Sequence, residues 1–263
     1  MNQFQEKFAV GPVERTKETS STVVDAIALL RCFTRRQMLL GNKTLSEKLN
    51  LPPPTIARLT RTLCKLGLLS HDPAHRKYRL GYGVLTLGYP LLANLQERYI
   101  ARRVMKELTD KTGGQTSMAA LSGFEAIYLE SYRPDPQWIE QPEIGTTRPV
   151  MDTAIGHALL FTLTPIHFEY LMKVQKSSNS KAYSKQRRQI ETSFEMLETK
   201  GYCVARGTFQ PTLHAIATPL HLEPGSETFA FNLSMRCPPG SKLKIESYAA
   251  DLLSLRDQVR QSC

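Results

Sequence analysis

The chain has 263 residues, of which 41% are hydrophobic, so it can build packed cores for one large domain or two ordinary ones, and this composition excludes a disordered protein. The longest apolar runs, such as Met118–Leu121, are far too short to span a bilayer, and residues 1–22 lack the apolar stretch of a secretory signal, which together favour a cytoplasmic location and no membrane partner. The formal net charge is +10, and residues 1–100 carry 15 Lys and Arg against 7 Asp and Glu, whereas the remainder carries 19 against 17.

That uneven charge indicates a polyanion bound near the N-terminal end of the protein. A solvated basic surface would give the same count, so the local pattern has to decide between the two. Residues 1–20 are polar and are expected to form a flexible arm. From Val23 onwards, apolar residues recur at helical spacing, as at Ile27 and Leu30, and predict a first helix. The run Thr44-Leu45-Ser46-Glu47 has the pattern of a capping box, which predicts that a second helix begins at Thr44.

A third helix is predicted from Pro54 to Leu66, because proline suits a first helical turn and apolar residues then recur every three or four positions. Its apolar face comprises Ile56, Leu59, Leu63 and Leu66. Its opposite face carries Thr55, Arg58, Arg61, Thr62 and Lys65. The whole segment has no acidic residue, so the solvent side of this helix is expected to be positively charged and rich in hydrogen-bond donors.

A basic hairpin is predicted directly after these helices. Leu68–His71 and Arg76–Leu80 have the composition of two short strands, and Asp72-Pro73 marks the turn between them. Three helices followed by a basic hairpin is the order of a winged helix-turn-helix, which we predict over residues 21–83.

The remainder of the chain predicts an α+β domain behind a helical linker. Residues 84–112 form an amphipathic pattern, predicting one linker helix that ends at Gly113-Gly114. Over residues 113–263, strand patterns flank a helical block, which suggests a mostly antiparallel sheet with helices packed on it. The predicted strands are Thr116–Leu121, Ala126–Tyr132, Trp138–Gln141, Tyr202–Arg206, Leu213–Leu220 and Thr228–Met235. The predicted helical regions are Thr153–Thr199, with an interruption near Ser177–Ser180, and Lys242–Val259.

Few residues suggest catalysis, a metal or a cofactor. His71 and His75 have a possible metal spacing, but a turn separates them and neither cysteines nor a carboxylate set converges nearby. Cys203 with His214 could be a nucleophile and its base, but the sequence shows neither a glycine-rich oxyanion loop nor an orienting partner. Phosphate-binding glycine motifs are absent as well. We therefore predict a protein without catalytic activity, metal or cofactor.

Several segments share the order and spacing of one family's motifs. In the first part of the chain these are Val24–Leu30, Leu51–Leu63 and Tyr78–Gly81. In the second part these are Gly145–Leu160, Gly201-Tyr202 and Ala215–Pro219. Together they resemble the IclR (isocitrate-lyase-regulator) family of bacterial transcription regulators. The resemblance covers about residues 20–261. It implies a winged helix-turn-helix, a linker helix and a GAF/PAS-like effector domain with a mixed sheet and flanking helices, assembled as a homodimer or a dimer of dimers.

The resemblance also implies a pocket for a small, often carboxylated metabolite. The family positions that line this pocket correspond here to Met151, Ala154, Ile155, Ala215 and Ser234. Arg206 and Arg236 fall near such positions, where many members have different residues, and they suggest an anionic ligand because guanidinium groups pair well with carboxylates. The alternative is that both arginines are solvated at the surface.

Two functions follow from these residues. The favoured one is a regulator that binds double-stranded operator DNA and responds to an organic acid; the alternative is a metabolite-processing enzyme or sensor whose basic domain only serves dimerisation. Arg58, Arg61 and Thr55 are the predicted readers of bases, because arginine contacts to guanine in the major groove are the commonest specific contacts. The complete predicted DNA-contacting set is Thr44, Ser46, Pro54, Thr55, Arg58, Arg61, Thr62, Lys65, Lys77 and Arg79.

Overall fold

The computed structural model describes residues 20–134, 142–222, 227–238, 241 and 244–263. Residues 1–19 of the predicted arm and the predicted strand Trp138–Gln141 lie outside these ranges. The chain divides into two compact units between Asn94 and Leu95. Within the described ranges, helices long and apolar enough to cross a membrane are absent.

The first unit consists of a helical trio, a hairpin and one further helix. Leu29, Leu45 and Ile56 come from three successive helices and are completely buried together, so each helix contributes its apolar stripe to one core. Leu40 pairs with Tyr78 through two backbone hydrogen bonds of 2.8 and 3.0 Å, which adds a third, one-residue strand to the hairpin. The elements are α1 (Ser21–Arg31), α2 (Asn42–Leu49), α3 (Pro53–Lys65), β1 (Leu69–Asp72), β2 (Lys77–Leu80) and α4 (Gly83–Asn94).

The second helix does not begin with the predicted capping box. Helix α2 begins at Asn42 with Gly41 as its N-cap, and the amide of Leu45 already donates to the Gly41 carbonyl at 3.0 Å. Thr44 is therefore the third residue of the helix rather than its N-cap, and Gly41 has no side chain that could accept from the amides of the first turn. Asn50, with φ of 51°, ends the helix in the left-handed conformation that asparagine tolerates better than most residues.

The third helix begins one residue earlier than predicted and buries three of the four predicted apolar residues. Pro53 takes the first position and Pro52 the N-cap, which is compatible with proline because the first helical amides have no partner within the helix. The prediction that Leu66 faces the core is wrong: the helix ends at Lys65, and the side chain of Leu66 is 63% exposed. Gly67, with φ of 71°, turns the chain into the hairpin at this point.

The predicted single linker helix is in fact two helices. Helix α4 ends at Asn94, and α5 (Gln96–Thr112) begins after Leu95, whose extended conformation (φ −81°, ψ 94°) interrupts the helical hydrogen bonds. Leu95 is 7% exposed and is the first residue after the boundary between the two units. The break between the two helices therefore falls at this boundary.

Over its described residues, the second unit is a six-stranded, entirely antiparallel sheet with helices on both faces. The strand order is β5-β4-β3-β8-β7-β6. Helices α5 and α9 pack on one face and α6 on the other. The strands are β3 (Gln115–Ser122), β4 (Glu125–Tyr132), β5 (Thr147–Pro149), β6 (Cys203–Arg206), β7 (Leu213–Leu220) and β8 (Phe229–Arg236). The remaining helices are α6 (Ala154–Phe161), α7 (Pro165–Ser178), α8 (Ser180–Lys200) and α9 (Ala249–Ser262), the last preceded by a 3₁₀ turn (Ile245–Tyr248) where the sequence predicts one continuous helix.

Strand β4 contains a β-bulge. Met118 pairs with Glu130 and Ala119 pairs with Tyr128, so Leu129 has no opposite residue on β3. The Leu129 carbonyl accepts a hydrogen bond from the Arg98 guanidinium at 3.0 Å. Arg98 thereby fastens the first turn of α5 to the sheet.

Candidate functional site

The predicted base-reading face of α3 is accessible. Arg58, Arg61 and Lys65 are exposed, Pro54 is exposed in the first turn, and Thr55 is half-buried beside it. This helix therefore presents an acid-free basic face whose N-terminal turn is open, as a recognition helix requires.

Two of the predicted hydroxyl contacts have their hydrogens engaged within the protein. The Ser46 hydroxyl donates to the Leu51 carbonyl at 2.5 Å and holds the turn between α2 and α3. The Thr62 hydroxyl donates to the Arg58 carbonyl one turn earlier, at 3.0 Å. Each of these oxygens can accept a hydrogen bond but has no proton left to donate to a phosphate. Thr44 is exposed on α2.

Strand β2 of the hairpin presents basic side chains on one side and packs against β1 on the other. Lys77 and Arg79 are exposed and, being two residues apart, point to the same side of the strand. Tyr78 points to the other side, where its ring lies 5.1 Å from that of His71. At the tip of the hairpin, hydrogen bonds from His75 lower the pKa of the Asp72 carboxyl.

Helix α4 is apolar but covers nothing within its own unit. None of its residues is buried, although Leu, Val, Tyr and Pro make up most of its sequence. The side chains of Leu85, Leu87, Tyr89 and Leu91 are between 58% and 70% exposed. A helix that is apolar nearly all round is normally buried, so this degree of exposure is unusual for such a composition.

A pocket lies between α6 and the sheet in the second unit. It contains about 630 Å³ of empty space, part of which is open to solvent. Arg236, Ser234 and Asn232 alternate along β8 and so share the face that lines it, as do their neighbours on β3 and β7. Five of the residues predicted from the resemblance line this pocket: Ala154, Ile155, Ala215, Ser234 and Arg236.

The two other predicted residues do not line it. Met151 is 3% exposed and packs into the core beneath α6. Arg206 forms an ion pair with Glu246. On β6 it is the preceding residue, Ala205, that faces the pocket, and since successive residues of a strand point to opposite sides, Arg206 points away.

The pocket contains a second arginine that the sequence analysis missed. Arg148 on β5 lines the wall, and its guanidinium lies 5.1 Å from the ring centre of Phe209, in the loop between β6 and β7. Burial raises the pKa of the Tyr128 hydroxyl, and nearby Arg148 partly opposes that rise. Gln115 and Asn232 were also missed, although a polar residue within an otherwise apolar strand pattern was a usable signal for Asn232.

The geometry excludes the pairing of Cys203 with His214 as nucleophile and base. Cys203 lies opposite Ala217 on β7, three residues from His214, so the two side chains point to opposite faces of the sheet. Complete burial raises the pKa of the Cys203 thiol to about 12, so it stays protonated, and it donates to the Ala154 carbonyl. In the described residues there is no group of His, Cys, Asp and Glu side chains that could hold a metal ion.

His157 on α6 is a structural residue. It is 2% exposed, with Nδ1 at 2.7 Å from the Ser193 hydroxyl and Nε2 at 3.0 Å from the Met151 carbonyl. Burial lowers its pKa, so the ring is neutral at pH 7, with Nε2 donating and Nδ1 accepting. It links the helix of the pocket to α8.

Comparisons with known proteins agree with this architecture. The family model for the IclR helix-turn-helix domain matches residues 22–73, and that for the C-terminal domain of bacterial IclR transcriptional regulators matches residues 91–261. The HTH-type transcriptional regulator TsaQ1/TsaQ2 of Comamonas testosteroni is 28% identical to this chain over 91% of its length and 87% of the relative's. The regulator XynR of Escherichia coli is 24% identical over 92% and 93% of the two chains.

Solved structures show the same fold. An IclR-family transcriptional regulator from Brucella abortus superimposes with a TM-score of 0.82 and 26% identity, covering 96% of both chains. An IclR homologue from Microbacterium hydrocarbonoxydans, solved in complex with 4-hydroxybenzoate, superimposes with a TM-score of 0.72 and 18% identity, over 92% of this chain and 98% of the other. These relatives are regulators rather than metabolite-processing enzymes, which overturns the alternative function. The chain belongs to the IclR family of bacterial transcriptional regulators, with a helix-turn-helix DNA-binding domain followed by an effector-binding domain.

Proposed function

We propose that this protein is a homodimeric regulator whose affinity for operator DNA is set by a small organic acid bound in the pocket of the second unit. The observation that carries the proposal is the presence, in one chain, of an acid-free basic helix face and a partly apolar pocket with two arginines in its wall. A protein that binds chromosomal DNA works in the cytoplasm of a bacterium, so we infer that location.

The DNA-binding part of the proposal rests on α3 and the hairpin. In this scheme Arg58 and Arg61 read base edges in the major groove, and Thr55 assists at the open first turn. Lys77 and Arg79 neutralise phosphates, which supplies affinity that depends on salt but little on sequence. Because the hydroxyls of Ser46 and Thr62 already donate to backbone carbonyls, their contributions to DNA binding should be small.

The first prediction distinguishes base contacts by Arg58 from phosphate contacts by Lys77. Arg58→Ala should weaken operator binding by about 1–3 kcal/mol and relax base preference, whereas Lys77→Ala should weaken operator and random DNA alike. Gel-shift titrations at fixed salt, on an operator found by footprinting, measure both effects. Lys181→Ala, which removes an exposed charge from α8, is the control. Unchanged operator affinity in Arg58→Ala would mean that α3 is not the reading helix.

The effector part rests on charge and shape. Apolar walls with a few polar anchors are typical of small-molecule sites, and the charged side chains in this wall are two arginines, Arg236 and Arg148, and one carboxylate, Asp152. The 4-hydroxybenzoate complex of the Microbacterium relative supports an aromatic acid as one candidate. A ligand changes DNA binding only if it binds two arrangements of the dimer unequally, and typical coupling of about 1–3 kcal/mol changes operator affinity roughly 5- to 150-fold.

The second prediction concerns Arg236. A panel of organic acids is screened by thermal shift, and the best binder is measured by calorimetry. Arg236→Ala should abolish the response of operator binding to that acid, because the guanidinium pairs with the carboxylate, while operator binding without the acid persists. Arg206→Ala is the matched control, since it removes an arginine from the neighbouring edge of the sheet outside the pocket. Equal affinity of the acid for wild type and Arg236→Ala would contradict the assignment.

A further inference from the structure

Two side-chain amides in the pocket wall have hydrogen-bonding capacity that the protein does not use. Gln115 is fully buried and Asn232 is 5% exposed, and both line the pocket. They lie on adjacent strands: Gln115 pairs with Ser234, and Asn232 pairs with Ser117, so the two amides are diagonal neighbours on one face of the sheet. The carbonyl oxygens of both side chains, Oε1 and Oδ1, are buried without a hydrogen-bond partner.

The orientation of the Gln115 amide is fixed by its surroundings. Its Nε2 donates to the Pro142 carbonyl at 2.9 Å and to the Ser131 hydroxyl at 2.6 Å. A carbonyl can only accept, so exchanging the nitrogen and oxygen of this amide would set two acceptors against each other. Oε1 is therefore an acceptor that needs a donor, and its diagonal neighbour Asn232 carries a second such acceptor.

Another buried amide of the same unit is satisfied at both ends. Gln186, 7% exposed, donates to the Asp152 carboxylate at 3.0 Å and accepts from Gln175 at 3.2 Å. A buried acceptor without a partner destabilises a folded protein, and such groups in native proteins call for an explanation. The two that occur together here share a pocket, and a bound ligand that donates hydrogen bonds explains them.

From this we propose that the effector is a small carboxylate that also carries either a hydroxyl group, which donates its one hydrogen to Asn232, or an amino group, which can donate to both Gln115 and Asn232. The inference rests on the proposed function and adds the chemical class of the ligand. Asn232 and Arg236 are four residues apart on one face of β8, roughly 13 Å between Cα atoms, and the long arginine side chain can shorten that span. The acid is therefore bifunctional, with its carboxylate at Arg236, its donor at the amides, and an apolar middle against Ile155 and Leu213.

The test uses matched pairs of acids that differ only in the donor. Calorimetric titration of the full-length protein compares 4-hydroxybenzoate with benzoate and 6-hydroxyhexanoate with hexanoate, which separates an aromatic from an aliphatic middle. In at least one pair the hydroxylated acid should bind roughly tenfold tighter or more, because an analogue without the hydroxyl leaves buried acceptors unpaired. In Asn232→Leu that preference should fall to twofold or less. Equal affinity within both pairs, including no binding by any probe, or a preference that persists in Asn232→Leu, overturns the proposal.

A second measurement needs no ligand. If the Asn232 amide serves ligand binding, Asn232→Leu should keep or raise the urea midpoint of unfolding, because leucine of similar size removes an unsatisfied acceptor. Gln186→Leu, the control, should lower it, since its hydrogen bonds are lost. If the urea midpoint of Asn232→Leu fell as far as that of the control, the Asn232 amide would be needed for stability, and the proposal would be overturned. Operator binding by the wild-type protein in the same preparation tests the proposed function separately. If the protein does not bind operator DNA, the preference for hydroxylated acids can still be measured.

Discussion

Glu130→Ala should lower the free energy of unfolding of the second unit by about 3–5 kcal/mol. Glu130 is 4% exposed, and its Oε2 accepts from Arg98 at 3.0 Å and from Arg102 at 2.9 Å. Removal of the carboxylate leaves the guanidinium of Arg98, itself 7% exposed, as a buried charge without its counter-ion. Arg102 is partly exposed and can turn to solvent, so most of the loss comes from Arg98.

Urea unfolding followed by circular dichroism measures this loss. Glu107→Ala, which breaks an exposed pair with Arg103 on the same helix, is the control and should change stability by less than about 0.5 kcal/mol. The double variant Arg98→Met, Glu130→Leu should recover most of the stability, because apolar residues of similar volume can replace a buried ion pair. A loss below about 1 kcal/mol in Glu130→Ala would mean that water reaches Arg98 in the variant.

Glutamates at Leu87 and Leu91 should convert the protein into monomers and weaken operator binding by roughly 10²–10⁴-fold, the usual gain from joining two binding modules. The two leucines lie one helical turn apart on α4 and are 64% and 58% exposed within a single chain. In the proposed dimer the α4 helices of two copies cover each other, and buried carboxylates would be left without counter-charges. Two half-sites would then be bound independently rather than together.

Light scattering at micromolar concentration tests the conversion to monomers. Gel shifts on an intact operator test the loss of affinity. Ile166→Glu is the control, because Ile166 is a large apolar residue that is 77% exposed outside α4. A monomeric wild-type protein, with and without DNA, would refute the dimer. A Leu87→Glu, Leu91→Glu variant that remains dimeric would show that another surface joins the subunits.

The helical trio was predictable because its pattern is local. Ile56, Leu59 and Leu63 recur at helical spacing, and all three are buried as expected. Leu66 continues the same spacing but is exposed, because the helix ends before Gly67 turns the chain. The capping box at Thr44 failed for a related reason: Gly41 offers an earlier start, and the sequence does not show which of two competing starts the tertiary structure selects.

The pocket was only partly predictable because it joins residues that are far apart in the chain. The resemblance supplied Ala215 and Ser234, which occupy matching positions on paired strands. Arg206 lies outside this pocket, and the sequence could not show this because a four-residue strand gives too little alternation to tell its two sides apart. Arg148 and Gln115 reach the pocket through the curvature of the sheet and the strand order, neither of which is written in any local stretch of sequence.

The bulge at Leu129 makes the effect of losing one residue depend on where in β4 the loss falls. Before the bulge, Tyr128 faces α6, and after it Ser131 faces the same way, so the strand changes from even to odd positions without changing sides. A gene that lost the single codon for Leu129 would encode a regular strand in which Glu130 still lies opposite Met118 and Ser131 still lies opposite Ser117, so no later side chain would change sides. The protein would lose the Leu129 side chain and the carbonyl that accepts from Arg98. Loss of one residue should therefore disturb the pairing of β4 less at Leu129 than at a regularly paired position of the strand, where the later side chains would exchange faces.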